Sequence, residues 1–444
     1  MSAAEQIKEK LGEGLCLAKW QQVSIHLPSG MTQSCYHPPT HKIPLELLEK
    51  QPSALHNTPQ KKYERRMMLE GKRPDGCSYC WKVEDAQSDD PKGHMSDRHY
   101  RSGEPWAAVD FGKIASSDWN QDDIIPSYVE VNFNNACNLK CSYCSPQFSS
   151  SWMDESNRLG PFPTAIPHNA PEHFAGRRRP IPAREHNPYV ESFFAWWESD
   201  LHKTLQELRI TGGEPLMSQH TWRLIEWFKG NQAKSQTRLA INSNLGTDVD
   251  IDRLLSAIDG VAVDLYTSNE AIGLEAEYIR DGLVFDDWAN NVERLLDSGK
   301  FRGLHSMCTI NALCLSSLDS YLEMIYNWKL EYGRDAINFT LNILRFPSFQ
   351  SPLVLPDNIR THYRDKLAQF LVDHKGDSMF HEYEINQLIR LIDYLDVVKT
   401  PHEGAVAQSI LQRDFKNFYK QYDQRRNKNF TETFPALADW YNSL

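Results

Sequence analysis

Between residues 124 and 350 short apolar runs alternate with longer amphipathic stretches. SYVEVNF (127–133), ELRIT (207–211), RLAIN (238–242), VAVDLYT (261–267), SMCTINAL (306–313) and AINFTLNIL (336–344) each read as a strand. TWRLIEWFKG (221–230), DDWANNVERLLDSG (286–299) and SLDSYLEMIYNWKLEYG (317–333) carry helical spacing between them. Strands separated by helical crossovers imply a parallel α/β sheet. Six strands are too few for a closed eight-stranded barrel, so an open partial barrel or a doubly wound sheet fits. The segment GPFPTAIPHNAPEHFAGRRRPIPAREHNPY (160–189), with Arg177, Arg178 and Arg179, interrupts the alternation. It reads as a substrate-binding lid or as a solvated insertion. Beyond 355 the spacing is helical, with FKNFYKQYDQRRNKNF forming one amphipathic helix. Residues 1–105 lack regular periodicity and are rich in short polar turns. The pattern divides the chain into a loop-rich N-terminal module (1–105), an α/β domain (124–350) and a helical C-terminal extension (351–444).

Composition narrows the function classes. The chain has 444 residues, is 40% hydrophobic and 24% charged, and can bury a sizeable core. A net charge of −11 argues against a nucleic-acid binder, which carries a basic surface. No apolar run is long enough to span a bilayer, and MSAAEQIKEKLGEG lacks a signal-peptide core. The expectation is a cytoplasmic protein whose nine cysteines stay reduced. Those cysteines cluster, which points to metal or redox chemistry rather than packing.

The tightest cluster is CNLKCSYC, residues 137–144, on the loop leaving the first predicted strand. In parallel α/β proteins the C-terminal ends of strands are where sites assemble. A cubane 4Fe–4S cluster needs one ligand per iron, so Cys137, Cys141 and Cys144 leave one iron open. An open coordination position separates a catalytic metal centre from a closed structural one. The alternatives are a zinc site or reduced core thiols. The C-x3-C-x2-C spacing, with Tyr143 before the last cysteine, resembles the signature of the radical S-adenosylmethionine (SAM) superfamily.

That resemblance implies roles for motifs further along. Thr211, Gly212, Gly213, Glu214 and Pro215 form TGGEP after the second strand, where glycines permit close backbone approach; in the family this motif holds the methionyl amino group of SAM. Asn242, Ser243 and Asn244 end the third strand, where the family uses polar side chains on the SAM ribose and carboxylate; turn formation is the alternative. Arg280, in EAEYIRDG, suits the SAM carboxylate or a surface salt bridge. The implied fold is a partial (β/α)6 TIM-like barrel. The implied chemistry is reductive cleavage of SAM to methionine and a 5′-deoxyadenosyl radical, which abstracts hydrogen from the substrate.

Four more cysteines lie at the front: Cys16, Cys35, and the CSYC pair Cys77 and Cys80. Four thiolates close a metal site. With CLAKW (16–20), PSGMTQSCYH (28–37), RRMMLEGKRPDGCSYC (65–80) and GHMSDR (93–98), they resemble the auxiliary-cluster module called twitch or SPASM. One auxiliary 4Fe–4S cluster is implied, with zinc or no metal as the alternatives. In most relatives the module follows the barrel; here it precedes it. His37 is a further ligand candidate or a loop residue, and Cys308 and Cys314 read as buried thiols or as ligands facing one side of a strand. Asp423 and Arg426, in a C-terminal stretch similar to the tails of twitch proteins, read as a pair on one helix.

Relatives with this module mainly modify ribosomally made peptides by crosslinking, epimerisation or excision of part of a tyrosine. The resemblance therefore implies a precursor peptide substrate, a separate small peptide-recognition protein, and an external electron donor of flavodoxin or ferredoxin type. ESFFAWWES (191–199) lines a peptide groove or packs in the core. The competing readings are a radical SAM enzyme acting on a small molecule, such as a sugar or nucleoside, and a metal-binding or electron-transfer protein without C–H chemistry.

Overall fold

The computed structural model describes residue 9 and residues 11–86, 96–107, 123–231, 235–396 and 407–444. Gly93 to Met95 of the GHMSDR stretch lie outside them. The strands are β1 (Gln22–His26), β2 (Met31–Gln33), β3 (His41–Lys42), β4 (Tyr128–Asn132), β5 (Lys140–Cys141), β6 (Glu207–Thr211), β7 (Arg238–Ser243), β8 (Val263–Thr267), β9 (Arg280–Asp281), β10 (Gly303–Ile310) and β11 (Asn338–Ile343). Among the described residues nine form one sheet, ordered β11-β10-β8-β7-β6-β4-β1-β2-β3, and β5 pairs with β9. The strands expected from the apolar runs are β4, β6, β7, β8, β10 and β11, and they stand in chain order. The pairs β4–β6, β8–β10 and β10–β11 are parallel, so the sheet is mostly parallel and open, with β11 and β3 at its edges. No helix of the described residues is long and apolar enough to cross a membrane.

Two compact units divide the chain. The first comprises Met1–Asn135 and Gly176–Ala240. Its strand pairing is set by side-chain alternation. Val23 and Ile25 of β1 pair in register with Val129 and Val131 of β4, and these with Leu208 and Ile210 of β6, giving one buried apolar face. The reading of residues 1–105 as aperiodic is corrected here: β1 extends the sheet parallel to β4 over five residues, and a helix spans Pro59–Leu69. The signal was weak because QVSIH is short and puts Gln22, Ser24 and His26 on its second face. ESFFAWWES belongs to helix Pro188–Trp196 and the turn after it. Phe193, Phe194, Trp196 and Trp197 are buried, Trp197 meeting Trp227 edge-on at 4.9 Å, so these aromatics are core.

The second unit comprises Ala136–Ala175 and Ile241–Leu444. Helix Phe285–Ser298 buries Trp288, Val292, Leu295 and Leu296, and Gly299 ends it in the left-handed region at φ 58°. The C-terminal region is helical as expected, over Asp357–His374, Glu382–Leu395 and Gln408–Arg426. The last of these buries Phe415, Phe418, Tyr419 and Tyr422, and Phe418 packs on Phe162 at 4.5 Å. The first part of the Pro-rich insertion is therefore packed rather than solvated. Asp423 and Arg426 are not paired with each other: Asp423 accepts from the Tyr278 hydroxyl at 2.6 Å, while Arg426 contacts Glu155 and Asp281. Cys308 is buried in β10, but the strand ends at Ile310 and Cys314 lies in a following turn. The two are not on one continuous strand; their thiols contact Ser306 and Asn311.

Candidate functional site

In the second unit the cysteine loop is pinned by backbone and side chain alike. β5 pairs antiparallel with β9, aligning Cys141 with Arg280, and the Ser142 amide donates to the Ile279 carbonyl at 2.7 Å. The loop closes a tight turn, Cys144 N to Cys141 O at 2.9 Å, and runs into helix Ser150–Leu159, capped by Ser149. All three cysteine carbonyls accept from side chains: Cys137 from Ser151 (2.7 Å), Cys141 from Trp152 (2.9 Å) and Cys144 from Asn169 (3.3 Å). The backbone is thus fixed while the three side chains stay half-buried and outside any disulfide.

Arg280 is buried rather than on the surface, so the surface salt-bridge alternative does not hold. Its guanidinium bonds Glu270 at 2.5 Å and approaches the Cys141 sulfur at 3.7 Å. Glu270 also accepts from the Tyr143 hydroxyl at 3.0 Å and from the Thr309 amide at 3.3 Å. Burial raises the Cys141 thiol and pushes Cys144 up to about 12, and the nearby Arg280 charge opposes this at both. The missed residue is Glu270, which links Tyr143, Arg280 and β10. Its position just past the end of β8 was the available signal, but its partners are far off in sequence.

Asn242, Ser243 and Asn244 lie at the end of β7. Asn242 donates to the Met307 sulfur at 3.2 Å. The Ser243 hydroxyl accepts from the Leu245 amide at 3.1 Å, supporting Leu245 at φ 47°. Asn244 accepts from the Gly246 amide and donates to the Asn138 side chain, both at 2.9 Å. The turn-forming role is present, and Asn244 also braces the loop between Cys137 and Cys141.

In the first unit TGGEP follows β6 directly. Thr211 pairs in register with Asn132. Gly212 sits at φ 134°, and a Cβ there would lie 2.6 Å from Asn132 Oδ1 and 3.1 Å from the Asn134 carbonyl. The Gly213 amide reaches the Asn134 carbonyl at 3.5 Å. Buried Glu214 accepts from the Leu216 amide at 3.0 Å and caps the turn that starts at Pro215. Asn132 Oδ1 is buried with no hydrogen-bond donor among the described residues. A cradle that excludes a side chain and holds an orphan acceptor suits a ligand ammonium group.

Also in the first unit, Cys16, Cys35, Cys77 and Cys80 line a single cavity with Lys19, Arg98 and Arg101. Helix Ser78–Ala86 positions Cys80, and Cys77 is in the turn before it. Burial pushes Cys16 and Cys80 up to about 12 and raises Cys35 and Cys77. The nearby Lys19 charge opposes this at Cys16, Cys35 and Cys77. A buried cation beside them suits thiolates. His37 lines the same cavity, pairs with Asp97 and stacks on Tyr79 at 3.8 Å. Among the described residues no three His, Cys, Asp or Glu side chains meet closely enough to hold one ion. A cube places each sulfur on its own iron, so its ligands stand apart.

Residues 131–327 match the family model described as the Radical SAM superfamily. No curated protein sequence matches the chain. Similar solved structures include Streptococcus suis SuiB bound to S-adenosylmethionine, at 11% identity and TM-score 0.37, covering 68% of this chain and 60% of that one. A histidine-tagged anSMEcpe with bound AdoMet is 15% identical at TM-score 0.33, covering 54% and 58%. S. suis SuiB bound to precursor peptide SuiA is 11% identical at TM-score 0.38, covering 80% and 70%. The chain thus spans about 60% of the length of the first two.

Proposed function

From the match of residues 131–327 to the Radical SAM superfamily model, we propose that the chain is a radical SAM enzyme that modifies a ribosomally made precursor peptide. The carrying observation is the hairpin that sets Cys141 against Arg280 while the carbonyls of Cys137, Cys141 and Cys144 are all tied down. These three residues would hold a 4Fe–4S cluster, supplying three thiolate ligands for its four irons. When bound, the cluster and SAM supply a 5′-deoxyadenosyl radical that takes hydrogen from an unactivated C–H bond.

The chain's own groups bind and orient. The Thr211–Pro215 backbone and Asn132 Oδ1 receive the methionyl ammonium, with Gly212 leaving the necessary room. Asn242, Ser243 and Asn244 serve the ribose and carboxylate end. Tyr143 and Arg280, joined through Glu270, keep the third-cysteine turn fixed and place a cation beside the Cys141 sulfur. Cys16, Cys35, Cys77 and Cys80 hold one auxiliary 4Fe–4S cluster in a twitch-like module at 1–105, ahead of the barrel domain at 124–350 and the C-terminal extension at 351–444. An external flavodoxin- or ferredoxin-type protein delivers the electron, in the cytoplasm.

The peptide assignment rests on the likeness of the N-terminal cysteine motifs to peptide-modifying relatives. The test is anaerobic incubation of reconstituted protein, reductant and SAM with candidate short precursor peptides. The expected result is a mass change in the peptide together with 5′-deoxyadenosine release. Release driven by a sugar or nucleoside, with the peptide unchanged, overturns it.

A further inference from the structure

Lys19, which lines the four-cysteine cavity, is one of several buried basic side chains in this unit. Lys19, Lys61 and Arg65 are 2%, 0% and 1% exposed. Lys61 donates to the Thr32 hydroxyl at 2.7 Å. Arg65 bonds the Asn57 side chain, the Lys19 carbonyl and His56, all uncharged partners. Among the described residues Glu64 is the one carboxylate in direct ion contact with any of the three, through Lys19 at 2.5 Å. Burying unpaired cations is costly unless an anion lies close by. Apart from Glu64, what lies beside the Lys19 ammonium is the cavity itself, whose wall it shares with Cys16, Cys35, Cys77 and Cys80. Arg98 and Arg101 also line the cavity, but Arg98 is paired with Glu84 at 2.6 Å and Arg101 with Asp97 at 4.0 Å, so Lys19 is the cation on which the cavity's charge turns.

We propose that Lys19 is a positioning residue that raises the reduction potential of the group held by Cys16, Cys35, Cys77 and Cys80. The proposal rests on the reading that this group is a 4Fe–4S cluster. One-electron reduction makes and breaks no bond. It adds one negative charge to a site already carrying that of four thiolates. A buried ammonium beside one of those sulfurs stabilises the reduced state more than the oxidised one, because their attraction is weakly screened there. Glu64 fixes the ammonium in place and offsets part of its charge.

The experiment uses the full chain with Cys137→Ala, Cys141→Ala and Cys144→Ala, so that only the N-terminal cluster forms. It is reconstituted anaerobically with iron and sulfide and titrated with dithionite under electron paramagnetic resonance. Lys19→Gln keeps a donor and removes the charge. Its midpoint is expected to fall by at least the equivalent of a tenfold change in the reduction equilibrium, about 59 mV for one electron. Lys19→Arg is expected to stay close to the parent. If Lys19→Gln assembles no cluster, Lys19→Met/Glu64→Gln, which removes both members of the ion pair, must show a fall of the same sign. A variant that holds its cluster at the parent midpoint overturns the proposal while leaving the cluster reading intact. A parent that takes up zinc in place of a four-iron cluster overturns both.

Discussion

Replacing Glu270 by alanine asks whether the ion pair beneath the cysteine hairpin holds the loop in shape. The Glu270 and Arg280 side chains are 1% and 5% exposed and 2.5 Å apart. Removing one member of a buried pair costs about 3–5 kcal/mol, because the other charge remains buried. The Tyr143 hydroxyl, 3.0 Å from Glu270, loses its acceptor as well, worth roughly another 1 kcal/mol. At about 1.4 kcal/mol per factor of ten, the open state of the hairpin gains roughly three to four powers of ten in population. The Ser142 amide, bonded to the Ile279 carbonyl at 2.7 Å across the β5–β9 pair, reports on that opening. Its hydrogen exchange is expected to speed up by at least a hundredfold in Glu270→Ala. Glu270→Ala/Arg280→Ala strands no charge and is expected to exchange more slowly than the single variant. Exchange in Glu270→Ala within about threefold of the parent refutes the reasoning, since the 3–5 kcal/mol basis leaves no room for it.

Gly212→Ala places a methyl 2.6 Å from Asn132 Oδ1 in backbone at φ 134°. SAM binding by equilibrium dialysis is expected to weaken about tenfold or more, with the circular dichroism spectrum unchanged. Arg426→Ala removes contacts to Glu155 (3.0 Å) and Asp281 (3.1 Å) and the stack over Tyr422 (4.0 Å). At about 3 kcal/mol this lowers the thermal midpoint by roughly 6 °C or more. His26 and His41 are pushed down to about 4 by burial and then by the Lys61 charge. An unfolded histidine titrates near 6.5, so between about 6.5 and 4 the unfolded chain binds protons that the folded chain does not. Stability is therefore lost as pH falls through that window, by up to about 2.7 kcal/mol per pH unit for the two. Urea midpoints at a series of pH values check this, and His26→Gln/His41→Gln is expected to flatten the profile.

The parallel strands were legible because each is a compact apolar run closed by turn residues, and the chain orders them sequentially. β1 was not, because Gln22, Ser24 and His26 interrupt its pattern and its pairing depends on β4, a hundred residues on. The cysteine spacing exposed both thiol groups. It could not expose what lies under them. Glu270 has meaning only once β8 and β10 are adjacent, and Lys19 becomes a cavity residue only when helix Pro59–Leu69 presents Glu64 to it. The same limit explains Asp423 and Arg426: helical spacing put them on one turn, but their partners, Tyr278 for one and Glu155 with Asp281 for the other, come from distant segments. The aromatic run at 191–199 was ambiguous since core and groove both want Phe and Trp, and only burial separated them.

The most direct test of the open-iron cluster is reductant-dependent release of 5′-deoxyadenosine by the anaerobically reconstituted chain. The account predicts release from the parent and none from Cys137→Ala, Cys141→Ala or Cys144→Ala, with Cys16→Ala still able to cleave SAM. Intact SAM after reduction of a fully iron-loaded parent, or a stoichiometric zinc ion on Cys137, Cys141 and Cys144, contradicts it.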